Sequence, residues 1–343
     1  MTPGIEPVSL DRWLSEHLAG AQAPFEYRLI AGGHSNITYR VDDAGGSRFV
    51  LRRPPLGVQP PGAHDVAREY RIQAALRTTN VPVPNVELLC EDTSVIGAPF
   101  YMMRWVQGTV ADSPSCVAVT LPTAPSRRRA ADSVIETLGD LHRLDVEALG
   151  LGSLGPHEGF LARQTERMRR VWAKVKTREL PLIESLYDRL VRHRPPQRYT
   201  GLVHNDYRLG NLMLDGCNRV AAVLDWELTA IGDVLADLGA LVNNWDCPDD
   251  PDIWMQPAPT RAGGFPTRSE LVSSYARQSG FDVSDLDYYR ALSYWRIAII
   301  GEGMMRRYQS GEMPAERADL AAIDGRVRGR ADLADEFLRA FVS

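Results

Sequence analysis

A chain of 343 residues, 44% hydrophobic and 24% charged, has the make-up of a globular protein and is long enough for two lobes. Its net charge of −5 sets it apart from nucleic-acid binders, whose affinity rests on basic surfaces. Its four cysteines (Cys90, Cys116, Cys217, Cys247) are scattered without a CxxC pair, which fits a reducing compartment and not a disulfide framework. The N-terminus lacks the basic and apolar regions of a signal peptide. No apolar stretch approaches the ~20 residues of a membrane span, and no solenoid or propeller repeat is visible. A soluble cytoplasmic protein is expected, with no nucleic-acid or membrane partner; oligomeric state is not legible.

In chain order, residues 9–18 predict a capped amphipathic helix with Leu10, Trp13, Leu14 and Leu18 on one face. Three β-rich runs follow, at 25–30, 37–41 and 48–52. Between the first two lies Ala31-Gly32-Gly33-His34-Ser35-Asn36, where two glycines let the backbone turn tightly and approach a phosphate. An ordinary Gly-Gly hairpin turn explains that segment equally well. The third run ends in Arg52 and is followed by Arg53; strand alternation sends the two to opposite faces, and either is a candidate phosphate contact. After a proline-rich loop, residues 63–76 predict a helix carrying Glu69, the natural partner of Arg52 or else a solvated helix carboxylate. Runs at 86–89 and 99–106 add two strands, and Gly108 marks a boundary.

Residues 109–126, rich in Ser, Thr, Pro and Val, read as a mobile connector, and 127–144 as a helix with one core face. His142, His157 and His193 have no evident partner in the sequence. Residues 160–179 form a helix whose Arg163, Arg167, Arg170, Lys174 and Arg178 line one face opposite an apolar one. Such a stripe is either solvated surface or an attractor for an anionic substrate such as a coenzyme A thioester. Asp246, Asp249, Asp250 and Asp252 crowd a later Pro-rich loop and suit a polycation instead, or simply water. Helices are expected over 269–280, 286–309 and 320–341, the second largely buried.

The chemistry concentrates in residues 202–227. An apolar lead-in precedes His204-Asn205-Asp206-Tyr207-Arg208-Leu209-Gly210-Asn211. Then come a hairpin over 212–224 turning at Asp215-Gly216, and Asp225-Trp226-Glu227. A hairpin returns the chain, so Asp206 and Asn211 are expected to face Asp225 across a gap of metal-ion size. Oxygen-only donors of this kind suit Mg²⁺. Two other readings are a polar loop in an unrelated α/β protein and a zinc site on His204 and Asp206. The second lacks nearby nitrogen or sulfur ligands except Cys217.

His-x-Asp, an Asn five residues later, a hairpin and Leu-Asp-Trp-Glu together resemble the aminoglycoside phosphotransferase branch of protein-kinase-like enzymes. Within that branch the chain is similar to kinase-like domains related to those fused to some acyl-CoA dehydrogenases, over residues 25 to 310. The resemblance implies an α+β, bilobal protein-kinase-like fold. Residues 1–107 would form a nucleotide-binding β-rich lobe with one helix, and 108–343 a larger, mainly helical lobe. It implies an ATP- and Mg²⁺-dependent enzyme that moves the γ-phosphate to a hydroxyl of a small molecule. Asp206 would serve that hydroxyl, and Asn211 and Asp225 would hold the metal. Gly32, Gly33, Ser35, Asn36, Arg52 and Glu69 would serve the phosphates, with Met103, Trp105 and Val106 at the adenine hinge. His204, Arg208, Glu227 and Asp237 are accessory, His204 bracing the loop and Asp237, in Gly232-Asp233-x-x-x-Asp237-Leu238, bracing its backbone. The chain departs from the family pattern in Asn205, where Gly is usual, and Arg52, where protein kinases have Lys. A nucleotide-binding pseudokinase scaffold is the alternative. A hydrolase reading comes last, since no Gly-x-Ser-x-Gly elbow is present.

Overall fold

In the computed structural model, which describes residues 2–31, 36–57, 64–313 and 319–343, the apolar alternation of the first half becomes a single antiparallel sheet. Its strands are β1 (Phe25–Ala31), β2 (Ile37–Asp43), β3 (Arg48–Arg53), β4 (Val86–Cys90) and β5 (Phe100–Arg104), in the order β1-β2-β3-β5-β4. Side chains alternate between two faces. Tyr39, Val41, Phe49, Leu51, Phe100 and Met102 pack with Leu10, Leu14 and Leu18 on one side. Val50, Tyr101 and Met103 pack with Val66 on the other. Helix α1 (Pro7–His17) thus covers one face and α2 (Val66–Leu76) the second. The first helix starts two residues before Ser9 and has no side-chain cap. Pro7 replaces a cap, because its fixed φ suits a first helical turn that has no use for its missing N–H. Helix α2 is capped by Asp65, which accepts from the Arg68 amide at 2.9 Å. The expected start of that helix at 63 lies outside the described residues.

This first unit comprises Met1–Gly108 together with Ala221–Leu228. The returning segment is anchored within it. The Val223 amide donates to Pro82 O at 2.8 Å, and the buried indole of Trp226 donates to Val223 O at 3.0 Å.

The second unit comprises Thr109–Val220 and Thr229–Ser343. Residues 109–126 are not a mobile connector. They hold β6 (Thr109–Val110), α3 (Pro114–Thr120) and the first turn of α4 (Ala124–His142). Ser113 caps α3 by accepting from the Cys116 amide, and Thr123 and Ser126 form a reciprocal capping box on α4. The Ser, Thr and Pro content that imitates a loop is therefore cap chemistry placed twice in succession. Helix α5 (Phe160–Val175) ends four residues before the expected limit. Helix α6 (Pro181–Arg192) follows it unanticipated, burying Ile183, Leu186 and Leu190.

Strands β7 (Thr200–Val203) and β10 (Ala230–Asp233) pair antiparallel on either side of the motif-bearing stretch. Between them in sequence lie β8 (Leu212–Leu214), which pairs with β6, and β9 (Val220–Val223), which carries the chain into the first unit. Helices α7 (Leu235–Asn243), α8 (Arg268–Ser279), α9 (Leu286–Gln309) and α10 (Leu320–Val342) complete the unit. Helix α9 is its axis, packed against α5, α6, α7 and α10. No helix among the described residues is long and apolar enough to cross a membrane.

The α7–α9 approach depends on Gly239, where an added methyl would lie 2.8 Å from the Tyr289 backbone carbon. Backbone cannot swing aside as a side-chain tip can. Gly239→Ala is expected to destabilise the fold by roughly 1–3 kcal/mol, as overpacking does, read as a lower urea midpoint with unchanged slope.

Candidate active site

In the first unit the chemistry centres on Arg52. Its Nε donates to Glu69 Oε2 at 2.9 Å and its Nη2 to Asp225 Oδ1 at 2.5 Å, with the guanidinium largely buried. Burial opposes the charge, but Glu69, Tyr101 and Asp225 outweigh it and raise the guanidinium pKa above its ordinary value. Glu69 is itself buried and takes three donors: Arg52, the Asn36 amide group at 3.2 Å and the Trp226 backbone N–H at 3.3 Å. Asp225 is held at φ +67, a left-handed conformation uncommon for a non-glycine residue. Arg53 points away from this group. Its guanidinium donates to Gly4 O and Ile96 O, tying the N-terminal segment to the sheet.

Gly32, Gly33 and Ser35 lie outside the described residues, and Asn36 is the member of that loop the structure describes. At the expected hinge, Met103 is buried in the sheet, and the Arg104 and Trp105 amides donate to Asn85 O and Arg48 O. The Arg104 guanidinium pairs with Glu87 at 2.6 Å and lies over Phe49. Glu227 has a His64 ring nitrogen 3.5 Å from its carboxylate, and its carbonyl faces Arg68.

In the second unit the loop after β7 is fixed from beneath. Asp237, fully buried, accepts from the backbone amides of His204 at 2.6 Å and Asn205 at 2.7 Å. Its Oδ2 is also 3.4 Å from His142 Nε2, and His142 Nδ1 meets the Tyr275 hydroxyl at 2.7 Å. No partner for His142 is visible along the chain, because the residues that meet it lie far away in it and none belongs to a local motif. Its place on the buried face of α4 was the available signal. Asn205 has φ +67, a left-handed conformation that Gly adopts freely. Asn is among the residues that tolerate the left-handed region.

His204 is buried and its Nδ1 accepts from the Asp206 amide at 3.3 Å, so the ring is built into the loop. Asp206 is half-exposed. Arg208 Nε lies 3.2 Å from its Oδ1, and Asn211 Nδ2 donates to its Oδ2 at 2.7 Å and to its carbonyl at 2.9 Å. With both Asn211 amide hydrogens so used, its Oδ1 is the atom left to meet a cation. Among the described residues no three His, Cys, Asp or Glu side chains cluster to hold a metal. That disfavours zinc but not Mg²⁺, which keeps water and phosphate ligands beside one or two protein groups.

The acidic loop after α7 is spent internally. Asp246, nearly inaccessible, is bridged by Arg261 at 3.0 Å and Arg268 at 3.3 Å, Asp250 by Arg268 at 2.6 Å and Asp252 by Arg326 at 2.8 Å. The cationic stripe of α5 is partly spent too. Arg163 donates to Pro156 O and Glu158 O, and Arg178 pairs with Glu302 and Asp324.

A sheet-based first part, a mainly helical remainder and a His-x-Asp loop braced by a buried aspartate define a kinase-like fold. Residues 26–270 match the phosphotransferase enzyme family. The chain belongs to that family. It is 35% identical over 319 residues to acyl-CoA dehydrogenase family member 11 of Gallus gallus, covering 90% of this chain and 40% of that protein. It is 33% identical over 324 residues to the Homo sapiens protein of that name, covering 92% and 41%. The chain thus spans about two fifths of these curated relatives. Among solved structures, a putative aminoglycoside phosphotransferase from Ralstonia eutropha superposes with a TM-score of 0.82 at 31% identity, covering 98% of each chain. A choline kinase from Cryptosporidium parvum shares the fold at a TM-score of 0.66 and 14% identity, covering 98% of this chain and 97% of that one.

Two outcomes test the bracing. Asp237→Ala strands the buried amide of His204 and the part-buried one of Asn205, a buried unsatisfied group costing about 1–3 kcal/mol, and should lower unfolding free energy and expose the 204 and 205 amides to hydrogen exchange. Asp233, also buried, accepts from the Tyr289 hydroxyl at 2.6 Å, yet burial pushes its carboxyl up to about 6 from 3.8. The folded state therefore binds this proton more tightly than the unfolded chain. The contribution is fully present below pH 3.8 and is lost as pH rises to about 6. Asp233→Asn should flatten that part of the stability profile, measured by denaturation across this range.

Proposed function

We propose that this protein is an ATP- and Mg²⁺-dependent phosphotransferase that moves the γ-phosphate to a hydroxyl of a small molecule. The observation that carries the reading is the loop from His204 to Asn211. In it the carboxylate of Asp206 is oriented by Asn211 and Arg208 and its backbone is fixed by Asp237. A carboxylate held in this way can orient an acceptor hydroxyl and take its proton as the phosphate transfers. Asn211, through Oδ1, and Asp225 are the groups that would hold Mg²⁺, which when bound bridges phosphate oxygens and offsets their charge.

On the nucleotide side, Arg52 is assigned to the α/β-phosphates. It is the arginine with Glu69 and Asp225 as partners, whereas Arg53 is consumed by backbone carbonyls. Asp225 is paired with Arg52, which holds the proposed metal carboxylate next to the proposed phosphate-binding guanidinium. The Val106 backbone groups have no partner among the described residues, which fits adenine recognition at that point.

The acceptor is proposed to be hydroxyacyl-CoA-like and not an amino sugar. Three of the four loop carboxylates that would attract a polycation are neutralised by Arg261, Arg268 and Arg326. Names of relatives add to this: they are called acyl-CoA dehydrogenases, although the chain spans only part of them.

Melting-temperature measurements with ATP, in the presence and absence of Mg²⁺, test the nucleotide site. A Mg²⁺-dependent rise that disappears in Asp225→Ala is expected. Asp206→Asn should keep that rise and lose roughly 10²–10⁴-fold in kcat for ADP release with an accepted alcohol. Near-wild-type turnover in either variant sinks the assignment. A retained nucleotide shift without turnover of any acceptor would favour the scaffold reading.

A further inference from the structure

Backbone geometry sorts the side chains of the candidate loop. Arg208 is extended, with φ −157 and ψ 161, so its side chain leaves on the opposite side from those of Tyr207 and Leu209. Those two are buried, and the Tyr207 hydroxyl donates to Val134 O at 2.8 Å. Asp206 and Arg208, two residues apart, face the same way and are both half-exposed. The ion pair between them uses a single nitrogen. Arg208 Nε lies 3.2 and 3.4 Å from the two carboxylate oxygens of Asp206, and neither Nη group makes a hydrogen bond among the described residues. Arg261 and Arg268, by contrast, spend Nη groups on Asp246, Asp250 and backbone carbonyls. Gly210 leaves room for the unspent fork, because a methyl group there would collide with Arg208 Nη1.

The chemistry gives that fork a target. An acceptor hydroxyl held by Asp206 lies roughly 2.6–3.2 Å from the carboxylate, and phosphorus must approach that hydroxyl to roughly 3–3.5 Å. The moving phosphoryl group therefore passes within about 7 Å of the carboxylate on which Arg208 sits. As the acceptor oxygen bonds to the γ-phosphorus, the bond from phosphorus to the β–γ bridging oxygen breaks and its electron pair leaves with ADP. The hydroxyl proton passes to Asp206. That proton neutralises the ion-pair partner of Arg208, so the guanidinium charge is left for the phosphoryl oxygens as the transfer takes place.

We propose that Arg208 is a catalytic residue whose Nη groups donate to the oxygens of the transferring phosphoryl group, an arginine finger supplied from within the loop itself. Gly210 is the residue that lets the fork lie where it does. This assignment rests on the phosphotransferase reading and makes no demand on the charge of the acceptor.

The test uses the full chain and needs no acceptor. Melting temperature is read with Mg²⁺-ADP and then with Mg²⁺-ADP plus aluminium fluoride, which beside ADP imitates the phosphoryl group in flight. In the wild type aluminium fluoride should add a rise of its own, and none without ADP. Arg208→Gln should keep the Mg²⁺-ADP shift and lose the added rise, and Arg208→Lys should keep part of it. Gly210→Ala, which displaces the fork without removing its charge, should weaken it. Asp206→Asn separates contact from positioning: the added rise should survive in that variant and be lost once Arg208→Gln is combined with it. For any alcohol that is turned over, Arg208→Gln should lose roughly 10²–10³-fold in kcat with KM little changed. No added rise in the wild type, an undiminished one in Arg208→Gln, or one lost equally in Asp206→Asn overturns the proposal. Absence of a Mg²⁺-ADP shift in the wild type counts against the phosphotransferase reading instead, because that shift does not involve Arg208.

Discussion

The buried carboxylate of Asp237 is the constraint on which the second unit's site depends. A loop that must present Asp206 to solvent cannot bury its own backbone in a sheet, so its amides need an acceptor from elsewhere. Asp237 supplies it to two successive residues. It is held in turn by the first turn of α7, by His142 from α4 and, beyond that, by Tyr275 from α8. Three helices thereby converge on one carboxylate, and the left-handed turn at Asn205 is what allows consecutive amides to reach it. Precision in the loop follows from rigidity beneath it.

The first unit solves a different problem, which is how to keep a cation buried and available. Arg52 reaches two carboxylates on a sheet sealed on both faces by helices. A planar fork can meet Glu69 through one nitrogen and Asp225 through another, a geometry that the point charge of Lys would not match. The Arg found where protein kinases have Lys is therefore accommodated by its surroundings. Asp225 occupies a strained backbone conformation and is paired with Arg52, so backbone and side chain together fix its carboxylate.

Charge on the second unit is distributed by the same economy. The acidic loop after α7 is stitched to α8, α10 and its own short turn by three arginines, and Arg163 on α5 and Arg178 just beyond its end are spent on carbonyls and carboxylates. Among the described residues, Arg296 on α9 keeps a buried Nε without a hydrogen-bond partner. Counting charges along the chain ranks the two clusters equally; pairing them in space separates them.

The strands, the long helices and the His204-to-Asp225 motif were legible in the sequence because each is a local pattern: alternation of period two, apolar residues every three or four, and an ordered string of polar residues. Local chemistry also misled. The caps at Ser113, Thr123 and Ser126 read as a loop because capping residues and loop residues are the same types. Helix α6 escaped notice between two charged segments. His142 could not be judged at all from its neighbours in the chain, since its partners lie on other helices. The sequence by itself determined the family, the alternation that makes the sheet and the identity of the polar groups in the loop, since these depend only on order along the chain. Tertiary structure alone decided which charges neutralise one another and which stay unmatched, because ion pairing depends on distance through space.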